Sequence, residues 1–335
     1  MLFLSENDVR KSLTMEDGVR ICEEAYRSYS AGEIAHFFQA GDPLTDDGGA
    51  YIILPASHQG KNLFGFKYAG SYPANPAKGL PTVACTIQLC DLATGFPVCL
   101  MGANHLTSVK TASSQAVATK YMSRKDAETM AIVGAGHQAS FQLQAVSLVR
   151  GLKELRIADV DLSRAEALGV WYREHVDSGV AVTATTDAHA AAFGADIVTT
   201  ITTSFRPVLG GPSVSPGAHV NAMGSFTPDM QEIDCDLVRK AGRISTDVID
   251  TTWRVAGDLI KPLEQGFIGK DAITAELGDI VAGKASGRDD DGEITLFESV
   301  GFSVLDIAMA IGVYEAAAEK GIGRAVDIYH NATGM

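Results

Sequence analysis

Cysteine is sparse and unpatterned in this chain: five residues in 335, at Cys22, Cys85, Cys90, Cys99 and Cys235, with no Cys-x-x-Cys pair. An odd number at such spacing excludes a disulfide framework in a chain of this size and predicts reduced thiols in a cytoplasmic setting. The eight histidines include no i,i+4 pair, and no cysteine stands at zinc spacing, so no metal is expected. No apolar run approaches the ~20 residues of a membrane span, and the four residues before Ser5 are too few for a signal-peptide core. Positive charge is in deficit: 27 Lys+Arg stand against 41 Asp+Glu, a net charge of −14. That balance excludes nucleic acid and anionic membranes as general partners, since both need a basic face. Arginine is missing altogether between Arg27 and Arg124.

Apolar residues and glycine are plentiful. With 46% hydrophobic residues and 34 glycines spread along its length, the chain suits an α/β protein of two domains. Residues 5–31 read as a helix capped by Ser5 and weakened in the middle by Gly18. Thr14-Met-Glu-Asp offers a second start, because an acid three residues after the threonine makes a capping box. From 50 to 101 the runs AYIILPA, LFGFKYAG, TVACTIQLCD and FPVCLMG predict an antiparallel or mixed sheet. Residues 106–127 predict a helix of small side chains, open to close approach by a neighbour or ligand. Strands and helices then alternate across 127–250, as in a doubly wound parallel sheet. SGRDDDGEI reads as a solvated acidic loop, and residues 303–320 as a final helix.

The sharpest local signal is Ala131-Ile-Val-Gly-Ala-Gly-His-Gln-Ala139. A β-branched strand enters Gly134-x-Gly136-x-x-Ala139 and a helix follows, which is the dinucleotide-binding pattern. Gly134 makes the turn, Gly136 admits the pyrophosphate, and the helix N-terminus offers amide groups to the phosphates. Asp159 ends the next strand, 23 residues beyond Gly136. A carboxylate there bonds ribose hydroxyls and repels a 2′-phosphate, so NAD(H) is favoured over NADP(H). Asp161 could serve instead, with Asp159 reduced to a capping or turn residue. Lys67 lies in an apolar strand. Facing the core it requires an anionic partner, which a carboxylate ligand would supply; facing out, it is an ordinary surface lysine. Lys110 is open to the same two readings.

Further motifs follow in a fixed order: Lys67 in GFKYAG, Tyr72-Pro73-Ala74-Asn75 with Gly79-Leu80-Pro81, Asp91-x-x-Thr94-Gly95-x-Pro97, and Leu106-Thr107-x-x-Lys110-Thr111-Ala112. Beyond the glycine loop come Asn221-Ala222-x-Gly224, Gly257-Asp258-Leu259 and Thr295-Leu296-Phe297-x-Ser299-x-Gly301. Together they resemble the ornithine cyclodeaminase/mu-crystallin family over nearly the whole chain. The resemblance implies a Rossmann-type doubly wound parallel sheet inserted in an α+β substrate and dimerisation domain. Residues 1–115 plus 303–335 would form that domain and 116–302 the NAD-binding one, in a homodimer.

It also implies hydride transfer between nicotinamide and a carbon bearing nitrogen in a small amino or imino acid. Lys67 resembles the lysine that holds the substrate carboxylate. Thr82, Lys110 and Thr111 fall where the family contacts cofactor phosphates and substrate. His137 and Gln138 fall on the phosphate loop and Asp159 on the ribose, with Thr200 at the next strand end. Met223, Gly224, Ser225 and Phe226 fall near the nicotinamide, bordered by Ser299 and Val300.

Two departures from the family pattern stand out. The arginines expected in the early strand region and at position 110 are absent, leaving carboxylate recognition to Lys67 and Lys110 with Gln39 as a neutral replacement. Lysine offers a point charge where arginine offers a planar fork. The cyclodeaminase catalytic aspartate, two residues before the loop proline, is replaced by Phe226, which cannot transfer a proton. Residues 36–45 and Phe226 are the expected determinants of substrate side chain. The reading is therefore an NAD(H)-dependent imine reductase or amino-acid dehydrogenase. The alternatives are a cyclodeaminase-type ammonia lyase with tightly bound NAD, and a nicotinamide-dependent ligand-binding protein.

Overall fold

The computed structural model describes residues 1–37 and 39–328. Residue 38, within the segment expected to set specificity, and 329–335, at the end of the expected first domain, lie outside the described residues. The chain divides into two compact units, Met1–Lys110 with Phe302–Met335 and Thr111–Gly301. The division falls inside the helix Asn104–Met122.

The first unit is a mixed sheet with a helical layer. Its strands are β1 (Leu2–Leu4), β2 (Ile34–His36), β3 (Ala40–Pro43), β4 (Ala50–His58), β5 (Leu63–Ser71), β6 (Val83–Asp91) and β7 (Pro97–Gly102). β4 to β7 form an antiparallel meander. β1 lies parallel to β7 and antiparallel to the short strand Arg324–Ala325, while β2 and β3 both pair with β4. Alternation along β5 sorts its side chains: Leu63, Gly65 and Lys67 are buried, whereas Phe64, Phe66 and Tyr68 face the other way. The final helix, Ser303–Glu319, packs against β4, β5, β6 and the helix Met15–Ser30. Its Val304, Leu305 and Ile307 join Leu54, Ala56, Ile87 and Leu89 among the buried residues.

Instead of the one helix expected over 5–31 there are two, Glu6–Ser12 and Met15–Ser30. Both Ser5 and Thr14 close complete capping boxes, with Asp8 and Asp17 respectively. Leu13 between them is extended (φ −139°, ψ 111°), so the second cap restarts the helix rather than continuing the first.

The second unit holds a wholly parallel sheet: β8 (Thr129–Val133), β9 (Glu154–Ala158), β10 (Ala181–Thr185), β11 (Ile197–Thr200), β12 (His219–Ala222), β13 (Arg243–Thr246), β14 (Ile273–Glu276) and β15 (Thr295–Glu298). The order is β10-β9-β8-β11-β12-β15-β13-β14. It reverses direction between β8 and β11, the topological switch point outside which open α/β sheets bind ligands. The helix expected to 127 ends at Met122 because Arg150 reaches its end. The guanidinium donates to the carbonyls of Thr119, Lys120 and Ser123 at 3.0, 3.0 and 3.2 Å, satisfying groups that the last turn leaves open. β1, β2, β3, β14, β15 and the short strand Arg324–Ala325 are additional to the strands expected from sequence. β15 is central and fully buried, and its four residues show neither alternation nor length enough to separate them from a loop motif.

Candidate functional site

β8 ends at Val133 and the chain turns at Gly134, whose φ is +105°. A Cβ there would lie 2.5 Å from the Ile201 carbonyl, so conformation and space both require glycine. The following helix, Ala139–Ser147, starts without a side-chain cap, the arrangement in which a positive helix end can serve an anion. Gly134 and Gly136 line a cleft of about 740 Å³ together with Asp159, Arg164, His189 and Thr202. His137 is exposed and stacks near Phe141, and Gln138 is the N-cap residue.

Asp159 is built into the cleft wall. One oxygen accepts the Ala135 N–H at 2.7 Å and the other the Asp161 N–H at 2.9 Å, which still leaves each a lone pair. Asp161 instead caps the helix Leu162–His175, and its second oxygen lies 3.6 Å from Arg164. The residues present therefore fit a dinucleotide. The glycine turn and helix start suit its phosphates, and Asp159 suits the two hydroxyls of a ribose.

At the ends of β11 and β12 the expected residues turn inward. The Thr200 hydroxyl donates to Glu232 at 2.8 Å. Met223, Gly224 and Ser225 are buried, while Phe226 is 59% exposed. Ser299 donates to Asp247 at 2.6 Å, and Val300 beside it is half-buried. Thr111 opens the second unit, half-buried.

In the first unit the structure brings Lys67 and Lys110 together around an acid. Lys67 Nζ donates to Asp306 Oδ1 at 2.7 Å, and Lys110 Nζ is 3.9 Å from the same oxygen. All three residues are buried. Burial lowers the Lys67 pKa, with Asp306 opposing and Lys110 adding to the fall. Lys67 thus faces the core, and its protein partner is Asp306. Gln39 is half-buried just before β3, and Thr82 is exposed ahead of β6. No hydrogen bond joins either of them to the lysines among the described residues.

Four acids absent from the expected site carry much of this geometry: Asp306, Asp247, Glu232 and Asp258. Asp306 does leave a sequence signal, as the lone charge in the run Val304–Val313. Glu232, Asp258 and Glu298 form a fully buried acidic cluster. Burial and the Glu232 charge push Asp258 up to about 8. Burial raises Glu298 well above the carboxylate range, with the charges of Asp258, Glu232 and Asp247 adding to the effect. Neither Glu298 oxygen has a hydrogen-bond partner among the described residues. No group of three His, Cys, Asp or Glu among the described residues is arranged to hold a metal ion.

Residues 1–321 match the model of the ornithine cyclodeaminase/mu-crystallin family. Among characterised relatives, the Delta(1)-pyrroline-2-carboxylate reductase of Bacillus cereus (strain ZK / E33L) is 32% identical over 98% of this chain and 100% of that protein. Among solved structures, the Thermococcus litoralis Delta(1)-pyrroline-2-carboxylate reductase in complex with NADH and L-proline superposes with a TM-score of 0.92. It is 33% identical and covers 97% of this chain and 100% of its own. An archaeal alanine dehydrogenase dimer with bound NAD gives a TM-score of 0.91 at 32% identity, covering 98% and 99%.

The carboxyl cluster sets a pH dependence of stability. A buried acid whose folded pKa is raised stabilises the fold below its unfolded pKa, near 4.5 for glutamate, and that contribution is lost as pH rises through the folded value. Glu298→Gln, which needs no proton to be neutral, is expected to stabilise the protein at pH 7 and to change it by almost nothing at pH 4. Denaturant melts at the two pH values check it.

Proposed function

The chain belongs to the ornithine cyclodeaminase/mu-crystallin family, and on that premise we propose that it is an NAD(H)-dependent oxidoreductase acting on the C–N carbon of a small imino or amino acid. The observation that carries the reading is the buried Lys67–Asp306–Lys110 cluster, in which two ammonium groups face one carboxylate. The excess positive charge calls for one anionic ligand, and a substrate carboxylate supplies it. Lysine gives this clamp charge without the fork geometry of the missing arginines. The bound nicotinamide would supply or accept the hydride at the carbon next to that carboxylate. A cyclic imine protonated in solution needs no further proton at nitrogen, so the lysines contribute positioning and neutralisation. Phe226 in place of the cyclodeaminase aspartate argues against proton-driven loss of ammonia.

NAD(H) over NADP(H) is supported by Asp159, whose charge opposes a 2′-phosphate. Arg164 cannot offset that charge freely, since Asp161 engages it. A homodimer is supported by the bare face of the first unit's sheet. There Phe37, Phe64, Phe66 and Tyr68 are half-buried or exposed, and Phe64 lies 6.3 and 6.5 Å from Phe37 and Phe66, ring to ring. The archaeal alanine dehydrogenase relative is itself a dimer. In this reading the first unit binds substrate and partner, and the second binds the dinucleotide.

Four outcomes are expected. NADH is consumed with 1-pyrroline-2-carboxylate, or with pyruvate plus ammonia. Lys67→Met cuts kcat/KM by about 10²–10³, or 3–4 kcal/mol, with NADH affinity nearly unchanged. Ornithine converted to proline and ammonia without net cofactor change would establish the lyase instead. Asp159→Ala weakens NADH about 10- to 100-fold in a fluorescence titration while narrowing its advantage over NADPH; an unaltered ratio sinks the NAD assignment. Phe66→Asp turns the dimer into a monomer by light scattering, and a wild-type monomer overturns that part.

A further inference from the structure

The Gly257-Asp258-Leu259 motif has no part in hydride transfer as described above. Asp258 sits in the first turn of the helix Gly257–Glu264, fully buried. Its Oδ1 accepts the backbone N–H groups of Glu232 and Ile233 at 2.7 and 2.9 Å. At Gly257 an added Cβ would stand 2.0 Å from the Met230 carbonyl, so the helix start lies directly against the loop before Glu232. That loop is laced to residues 204–209. Gln231 N donates to the Ser204 carbonyl at 3.0 Å, while Val208 N and Leu209 N donate to the Glu232 carbonyl at 2.7 and 3.1 Å.

The Glu232 side chain then joins two strand ends. Its Oε2 accepts the Thr200 hydroxyl at 2.8 Å and the Gly224 N–H at 2.7 Å, and its Oε1 accepts the Thr202 N–H at 2.5 Å. Thr200 closes β11, Ile201–Ser204 lines the dinucleotide cleft, and Gly224 follows β12. Ile201 is also the residue against whose carbonyl the Gly134 turn rests. A continuous line of contact runs from Asp258 through Glu232 and the Ile201–Thr202 backbone to the phosphate turn.

We propose that Glu232, held in place by Asp258, is the positioning residue of the dinucleotide cleft, its carboxylate fixing the ends of β11 and β12 and the seat of the glycine turn. The inference rests on the reading that this cleft takes NAD(H). Three donors converge on Glu232 and oppose the rise that burial gives its pKa, whereas no donor among the described residues reaches Glu298. Other charged groups facing the cluster are Asp247, after β13, and Lys261, one turn along the Asp258 helix, whose ammonium donates to the Asp229 carbonyl at 2.7 Å. Above pH 8 Asp258 ionises and sets a second charge against Glu232. The clamp then loosens.

NADH dissociation constants of the full-length protein between pH 6 and 9.5, by fluorescence titration, test this. Glu232→Gln presents an amide N–H to a backbone N–H and weakens NADH at least 10-fold at pH 7. Asp258→Asn keeps the accepting oxygen and cannot ionise, so it removes the alkaline weakening of NADH seen in the wild type. Glu232→Gln within two-fold of wild type, or Asp258→Asn with a pH profile indistinguishable from wild type, overturns the proposal. If Glu232→Gln does not fold, the Asp258→Asn profile decides. A wild type that binds no NADH at any pH defeats the parent reading and this one with it, a result distinct from either variant's failure.

Discussion

An ionised group removed from water costs several kcal/mol unless a partner, a proton or a ligand compensates it. This chain meets that constraint in two opposite ways. In the first unit two buried lysines share the single carboxylate of Asp306. In the second unit Glu232, Asp258 and Glu298 are buried together and the residual charge is negative. Under the proposed function, a substrate carboxylate completes the lysine cluster. The carboxyls are satisfied by backbone amides, one hydroxyl and protons. A net charge of −14 therefore does not by itself exclude an anion site, because what a ligand would meet is the local interior balance.

The same constraint explains which buried polar residues are purely structural. His219 is fully buried and pushed down to about 3, chiefly by burial, so it stays neutral. It spends its two ring nitrogens on Thr295 and Asn221 at 2.9 and 3.0 Å. Asn221 in turn donates to Thr119 at 3.1 Å. These contacts tie β12 to β15 and to the helix that ends at Met122, and they leave nothing unsatisfied for a ligand. Glu298 is the contrast. It has no donor in reach among the described residues, so a proton replaces one.

Fold class was readable from the chain because most of the longer elements follow a local rule. The β-branched run into Gly134 marked β8, and the capping boxes at Ser5 and Thr14 marked two helix starts. Where those rules competed, the reading over 5–31 merged the helices, since nothing in the residues alone says that Leu13 is extended. β15 was legible only as a motif, because a short strand buried on both faces lacks alternation. Site residues followed the same division. Gly134, Asp159 and Lys67 are visible because a turn, a strand end and a charge in an apolar strand each imply a partner. Glu232 was invisible. Its role depends on three donors drawn from residues 200, 202 and 224, and no sequence spacing encodes their convergence. Asp306 was half visible, as the lone charge in the apolar run Val304–Val313, with a partner 239 residues away.

The chain order of the two units has a consequence for biosynthesis. The second unit interrupts the first, and the helix that covers the first unit's sheet is synthesised only after the whole of the second unit. Until then β4, β5 and β6 present a bare apolar face, and Lys67 lacks its acid. The inserted unit is continuous in sequence and can complete its own core while the first waits. Folding of the outer unit thus depends on its most distant contacts, the kind that form slowly and leave intermediates prone to aggregate. Synthesis arrested before Phe302 would release a chain with one finished unit and one unfinished sheet.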